Sequence, residues 1–158
     1  MIFLQHRQTW ENHDKRRKKT DGSFFVKYII FWIVFVAFIF LHELIHGFAW
    51  SLFSKNGFRD IAFGFIVKSM NPYCTCKEPL TKKGYTAGLL MPCLVLGVIP
   101  SVISWFNHSG GFIAMGAIMI VSAGGDLLIG KMIMSHKTPK GTLYLDHPTS
   151  IGLATFKK

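Results

Sequence analysis

The feature that most constrains this chain is the length of its apolar runs. Residues 24–53, 85–106 and 112–134 are almost unbroken apolar sequence. A membrane-spanning helix needs about 20 such residues, because in hydrocarbon the backbone must satisfy its own polar groups. As a helix the first run would be about 45 Å long at about 1.5 Å per residue. That exceeds a core of about 30 Å but is too short for two spans, so the helix tilts or emerges at one end. The expectation is one domain over residues 1–158. It is an all-α membrane protein of three transmembrane helices.

Charge is spent outside these runs. Only 16% of residues are charged, against about 25% in a soluble domain. The net charge of +10 would suit nucleic acid, but the Lys and Arg residues sit at helix ends and in loops. There they face anionic headgroups. No nucleic-acid motif accompanies them. The lipid bilayer is the expected partner and nucleic acid is not.

Residues 1–23 are a polar, basic N-tail with the run Lys15 to Lys19, read as a membrane-surface anchor. The apolar run behind it is too long for a signal-peptide core and no small-x-small cleavage site follows, so the first helix is expected to be retained. Phe24 to Phe40 read as lipid-facing bulk. Between the first and second helices, residues 54–84 hold Gly57, Asn71-Pro72, Pro79 and six Lys or Arg. Ile61 to Val67 and Tyr73 to Cys76 flank the Asn-Pro, which predicts a short β-hairpin insertion. Its simplest role is a connector on the headgroups; its edge could also capture an unwound substrate by strand addition. Cys74-Thr75-Cys76 has no zinc or redox spacing, and Cys93 lies in an apolar run, so all three read as ordinary thiols. Pro92 and Pro100 should kink the second helix. Residues 107–111 are an uncharged turn, Gly116, Gly124, Gly125 and Gly130 line the third helix, and 135–158 read as a polar C-tail. The His147-Pro148 pair reads as a turn. Two orientation cues conflict. The basic 54–84 loop and C-tail favour a cytoplasmic loop, whereas the basic N-tail favours the reverse.

The chemistry is concentrated in His42-Glu43-Leu44-Ile45-His46, late in the first apolar run. Positions i and i+4 differ by about 40° around a helix, so both imidazoles project from one face and can hold one zinc ion (Zn2+). Glu43 stands beside them as a base for a zinc-activated water. Shuffling the same residues produces this pattern only about 0.006 times per chain. Imidazoles and a carboxylate inside a membrane helix also cost several kcal/mol without a partner or function. A paired core histidine remains the plain alternative. A catalytic zinc needs a third protein ligand. Apart from Glu43, the apolar runs hold one acid, Asp126, and the preceding Gly124-Gly125 lets its helix approach closely. Asp126 could instead bond backbone or mark a kink. His108, His136, His147, Asp60 and Asp146 are rival ligands in turns or tails.

Here the sequence is similar to a known family. His42-Glu-Leu-Ile-His-Gly47, the basic hairpin ending Glu78-Pro-Leu-Thr-Lys82, and Gly-Gly-Asp126 resemble the zincin peptidase family of small bacterial membrane proteins. More distantly they resemble the site-2 intramembrane metalloproteases. The likeness runs from about residue 40 to Asp146-His-Pro148. It implies His42, His46 and Asp126 as zinc ligands, Glu43 as base, and a bacterial plasma membrane location. A membrane protein or peptide would be the substrate. Site-2 proteases usually carry Asn-x-x-Pro shortly before the liganding Asp. This chain does not, so no transition-state stabilising residue is assigned. Three functions compete: a zinc-dependent membrane endopeptidase, a non-catalytic zincin-like protein that binds metal for structure or assembly, and a metal-ion transporter. Transport would want polar groups in series across the bilayer, and only one cluster is visible.

Overall fold

The computed structural model describes residues 2–67, 70–108, 110–139, 141–146 and 153–157, leaving aside the side chains of 2–22 and 157. His147 and Pro148 lie outside the described residues. The chain divides into two compact units, Met1–Phe38 and Ile39–Lys158. The first is helix, and from Phe24 to Ile33 its large apolar side chains are all exposed. Such a surface suits hydrocarbon rather than water.

Helix α1 (Ile2–Ser51) begins at Ile2, so the basic residues 15–19 are helical. Lys, Arg, Gln and Glu are good helix formers, and nothing in residues 2–23 stops a helix. The helix closes after Trp50, whose carbonyl accepts the Phe53 and Ser54 amides at 3.0 and 3.1 Å. A 3-10 turn, Gly57–Asp60, leads into the hairpin β1 (Ile61–Ile66) and β2 (Asn71–Cys76), paired antiparallel from Ile61↔Cys76 to Ile66↔Asn71. Asp60 staples this turn: hydrogen bonds from Ser54 and Asn56 pull its carboxyl down to about 2.

Strand β3 (Leu80–Thr81) runs into α2 (Lys82–Pro92), whose first turn is capped by Thr81 Oγ1 accepting from Gly84 N at 3.3 Å. A π-helical turn, Cys93–Val98, follows directly after Pro92, and α3 (Ile99–Phe106) completes a helix of membrane length. The proline disturbance takes the form of a π-turn rather than a broken helix.

The expected third helix, 112–134, is two helices. α4 (Gly110–Ser122) and α5 (Gly124–Ser135) meet at Ala123 with a bend of 50°. Ser122 Oγ bonds the Ile118 carbonyl at 2.9 Å, and Gly124-Gly125 follow. Ser and Gly neighbours are a recurrent cause of kinks. Two helices, Ser23–Ser51 and Lys82–Phe106, are long and apolar enough to cross a membrane, and the bent pair makes a third if it counts as one span.

The all-α expectation needs a second correction. The C-tail is not plain coil: β4 (Thr142–Asp146) and β5 (Leu153–Lys157) join β3 in a three-stranded antiparallel sheet. Tyr144, at the middle of Thr-Leu-Tyr-Leu-Asp, is fully buried. The core joins Trp50, Ile61, Cys74, Cys76, Leu80, Tyr85, Leu89, Ile133 and Tyr144. It sits where α1 ends, α2 begins and α5 returns, against both sheets. The hairpin is therefore seated rather than loose.

Two glycines set the helix contacts in this region. A Cβ at Gly47 would lie 2.6 Å from Phe63 Cζ and 2.9 Å from Ile61 Cγ2, so its absence lets the hairpin rest on α1. A Cβ at Gly88 would lie 2.1 Å from Trp50 Cδ1. Gly88→Ala should therefore push α2 off α1 and destabilise the fold by about 1–3 kcal/mol. Thermal unfolding in detergent measures this. A melting temperature equal to wild type would mean that the two helices do not meet here.

Candidate metal centre

His42 and His46 face inward one turn apart on α1, 8% and 4% exposed. Their Nε2 atoms are 3.2 Å apart. Asp126 lies in the first turn of α5, where the helix dipole favours a carboxylate. Its Oδ2 is 3.1 Å from His42 Nε2 and 3.4 Å from His46 Nε2. The bend at Ala123 starts a new helix there and places its N-terminus at the imidazoles.

One proton position follows from a neighbour. His46 Nδ1 lies 2.9 Å from the Gly88 carbonyl. A carbonyl only accepts, so Nδ1 donates, and Nε2 of the neutral ring presents a lone pair to the cluster. His46 also stacks on Trp50 at 5.2 Å and 17°, and Trp50 Nε1 donates to the Tyr85 carbonyl at 3.1 Å. The ring is thus held on its face and at its edge.

The donor set fits a zinc ion. Ligands on tetrahedral zinc with bonds of about 2.0–2.1 Å lie about 3.3–3.4 Å apart. The observed triangle has edges of 3.1, 3.2 and 3.4 Å. Among the described residues these three form the one group of His, Cys, Asp or Glu able to hold a metal ion. Two imidazoles and a carboxylate on two helices, with a backbone carbonyl behind one imidazole, match the usual construction of a zinc site.

Glu43 is half-buried beside both imidazoles and Asp126. Pro72 explains one of its neighbours. Lacking an N–H, Pro72 cannot take part in a hydrogen-bonded pair, so Phe65↔Pro72 is the non-bonded kind. By alternation the Cys74 N–H points off the outer edge of β2, on the side of Glu43.

The rival ligands lie elsewhere. His108 is in the turn after α3, His136 is exposed past the end of α5, and Asp60 is committed to its turn. The Asp146 carboxylate accepts from the Tyr85 hydroxyl, and burial pushes its carboxyl up. His147 is outside the described residues. Sequence reasoning missed Trp50, Gly88 and Tyr85. A carbonyl carries no signature in the residue type, and an aromatic ring in an apolar run looks like any other.

Depth follows from helix rise. His46 is five residues from the end of α1, and Asp126 is nine from the end of α5. At about 1.5 Å per residue the cluster lies roughly 8–14 Å below the helix ends, inside an apolar helical unit.

Fold and site together define a helical protein of membrane character with a buried two-histidine, one-carboxylate centre. The chain belongs to the family described as putative zincin peptidase, whose signature matches residues 27–142 and so takes in His42, Glu43, His46 and Asp126. Membership implies a metallopeptidase and zinc as its metal. No curated protein and no solved structure matches the chain.

Proposed function

We propose that this protein is a zinc-dependent endopeptidase that cuts membrane-spanning or juxtamembrane peptide chains, with His42, His46 and Asp126 as metal ligands. The triangle of their donor atoms, 3.1 to 3.4 Å on each edge, is the observation that carries the reading. Zinc held there supplies an acidified water, with a pKa near 7, and a Lewis acid for the scissile carbonyl. Glu43 takes the proton of the attacking water and delivers it to the leaving amine. Zinc at this centre would be held by the Nε2 atoms of His42 and His46, each of which must be free of a proton to act as a ligand.

In this reading the protein crosses a bacterial plasma membrane with several helices, a location that the long apolar helices Ser23–Ser51 and Lys82–Phe106 support. The face that carries residues 54–84 and the C-terminal sheet is rich in Lys and Arg and is assigned to the cytoplasm.

The outer edge of β2, next to Glu43, suits an extended peptide that adds to the hairpin. A substrate helix must then unwind to be cut. Placing Gly and Pro around the scissile bond of a helical substrate should raise kcat/KM about tenfold, since these residues remove most of the helix's own stability. Equal rates for the helical and broken substrates would sink this role for the hairpin.

The reading as a whole is tested by metal content. Detergent-purified protein prepared in zinc-replete medium should hold about one zinc per chain, and a chelator should abolish its peptidase activity. No zinc under those conditions would make the histidine pair structural. Zinc present but unchanged biology with Glu43→Gln would favour the non-catalytic form.

A further inference from the structure

We infer that Pro92 is a positioning residue for the metal centre, acting through the Gly88 carbonyl and His46. The inference rests on the zinc-site reading above and adds a residue that touches no ligand atom itself.

In an α-helix the carbonyl of residue 88 accepts the amide of residue 92. Proline has no N–H, so that bond does not exist here. The next amide does not replace it, because the Cys93 N–H goes to the Leu90 carbonyl. Without another donor Gly88 O would be an unsatisfied acceptor inside an apolar helix pair, which is unfavourable. It is relieved by His46 Nδ1, which donates to it across the α1–α2 contact at 2.9 Å. Gly88 and Pro92 lie one turn apart on the buried face of α2, and Pro92 is fully buried. Gly88 has no side chain to hold Trp50 away, so α1 comes close enough for the contact.

The consequence is chemical. A carbonyl that lacks its residue-92 donor binds the imidazole N–H without competition from that amide. That fixes the proton on Nδ1 and leaves Nε2 free to face Asp126 and His42. An amide at position 92 would compete for the same carbonyl lone pairs, loosening the ring and letting the proton populate Nε2. A ligand nitrogen carrying a proton cannot bind metal. Outer partners of this kind command about 10–100-fold in metal affinity.

The test separates the N–H from the ring. Pro92→Ala restores an amide and a helical hydrogen bond, so a merely structural role predicts an equal or more stable protein with unchanged metal binding. The expected result is a loss of zinc affinity of about 10–100-fold by chelator competition. In 15N NMR of the metal-free protein, the His46 signals should also move from the Nδ1–H tautomer toward a mixture. A second variant combines Pro92→Ala with an ester in place of the 91–92 peptide bond. It lacks the proline ring and also the N–H, and it should regain wild-type affinity and the Nδ1–H tautomer. The inference is overturned if Pro92→Ala keeps both affinity and tautomer, or if the ester variant does not recover them. Failure of the zinc reading looks different: wild type would bind no zinc, while the tautomer comparison in metal-free protein would still decide the role of Pro92.

Discussion

Glu43→Gln should abolish peptide hydrolysis while leaving the zinc in place. Loss of a positioned general base typically costs about 10²–10⁴-fold in rate. Here the loss should fall in kcat, because glutamine fills the same space but cannot accept a proton. The metal should remain because Glu43 is not part of the donor triangle formed by His42, His46 and Asp126. Folding should survive as well, since the residue is only half-buried and glutamine is nearly its isostere. The check is paired: zinc per chain by elemental analysis, and cleavage of a reporter with a membrane-spanning segment. Zinc at the wild-type level with cleavage lost supports the base. Cleavage retained at more than a tenth of wild type would remove Glu43 from the mechanism.

Asp126→Ala should strip the metal. Asp126 Oδ2 is the apex at which both imidazoles meet, at 3.1 and 3.4 Å. Without it two histidines one helical turn apart remain, and two ligands do not make the three that a catalytic zinc requires. The expected loss of affinity exceeds the roughly 10–100-fold that outer partners command. A purified variant should therefore carry less than about a tenth of a zinc per chain, with peptidase activity lost alongside it. Asp126→Asn refines the test. It preserves shape and one weak oxygen donor but not the charge, and should retain intermediate affinity. If Asp126→Ala still binds zinc like wild type, the third ligand lies elsewhere. Asp146 is then the first candidate, because it is half-buried within the same unit.

The two corrections to the sequence reading have physical causes. In sequence the Gly124-Gly125 pair reads as a close-packing device inside one continuous helix. In the fold both glycines face open space, with nothing within 4 Å of where a Cβ would sit, so with Ser122 they serve a bend instead, and the 50° break decides where Asp126 points. Periodicity does not distinguish the two uses of glycine. The C-terminal strands escape notice because Lys and Thr around them suggest a tail. The alternation in Thr142-Leu-Tyr-Leu-Asp146 is the available signal, and Tyr144 is the residue it buries.

What the sequence determined by itself was the candidate ligand pair and its apolar surroundings. Apolar runs long enough for a bilayer, a His-Glu-x-x-His spacing and one further acid within those runs are properties of residue type and order. They follow from solvation and helical pitch, whatever the chain packs against. What only the tertiary structure decided was the meeting of parts far apart in the chain. Asp126 reaches His42 across 84 positions and Gly88 reaches His46 across 42. Such contacts depend on a missing Cβ, a missing N–H and a bend. These are local absences that become interactions only when another helix lies against them.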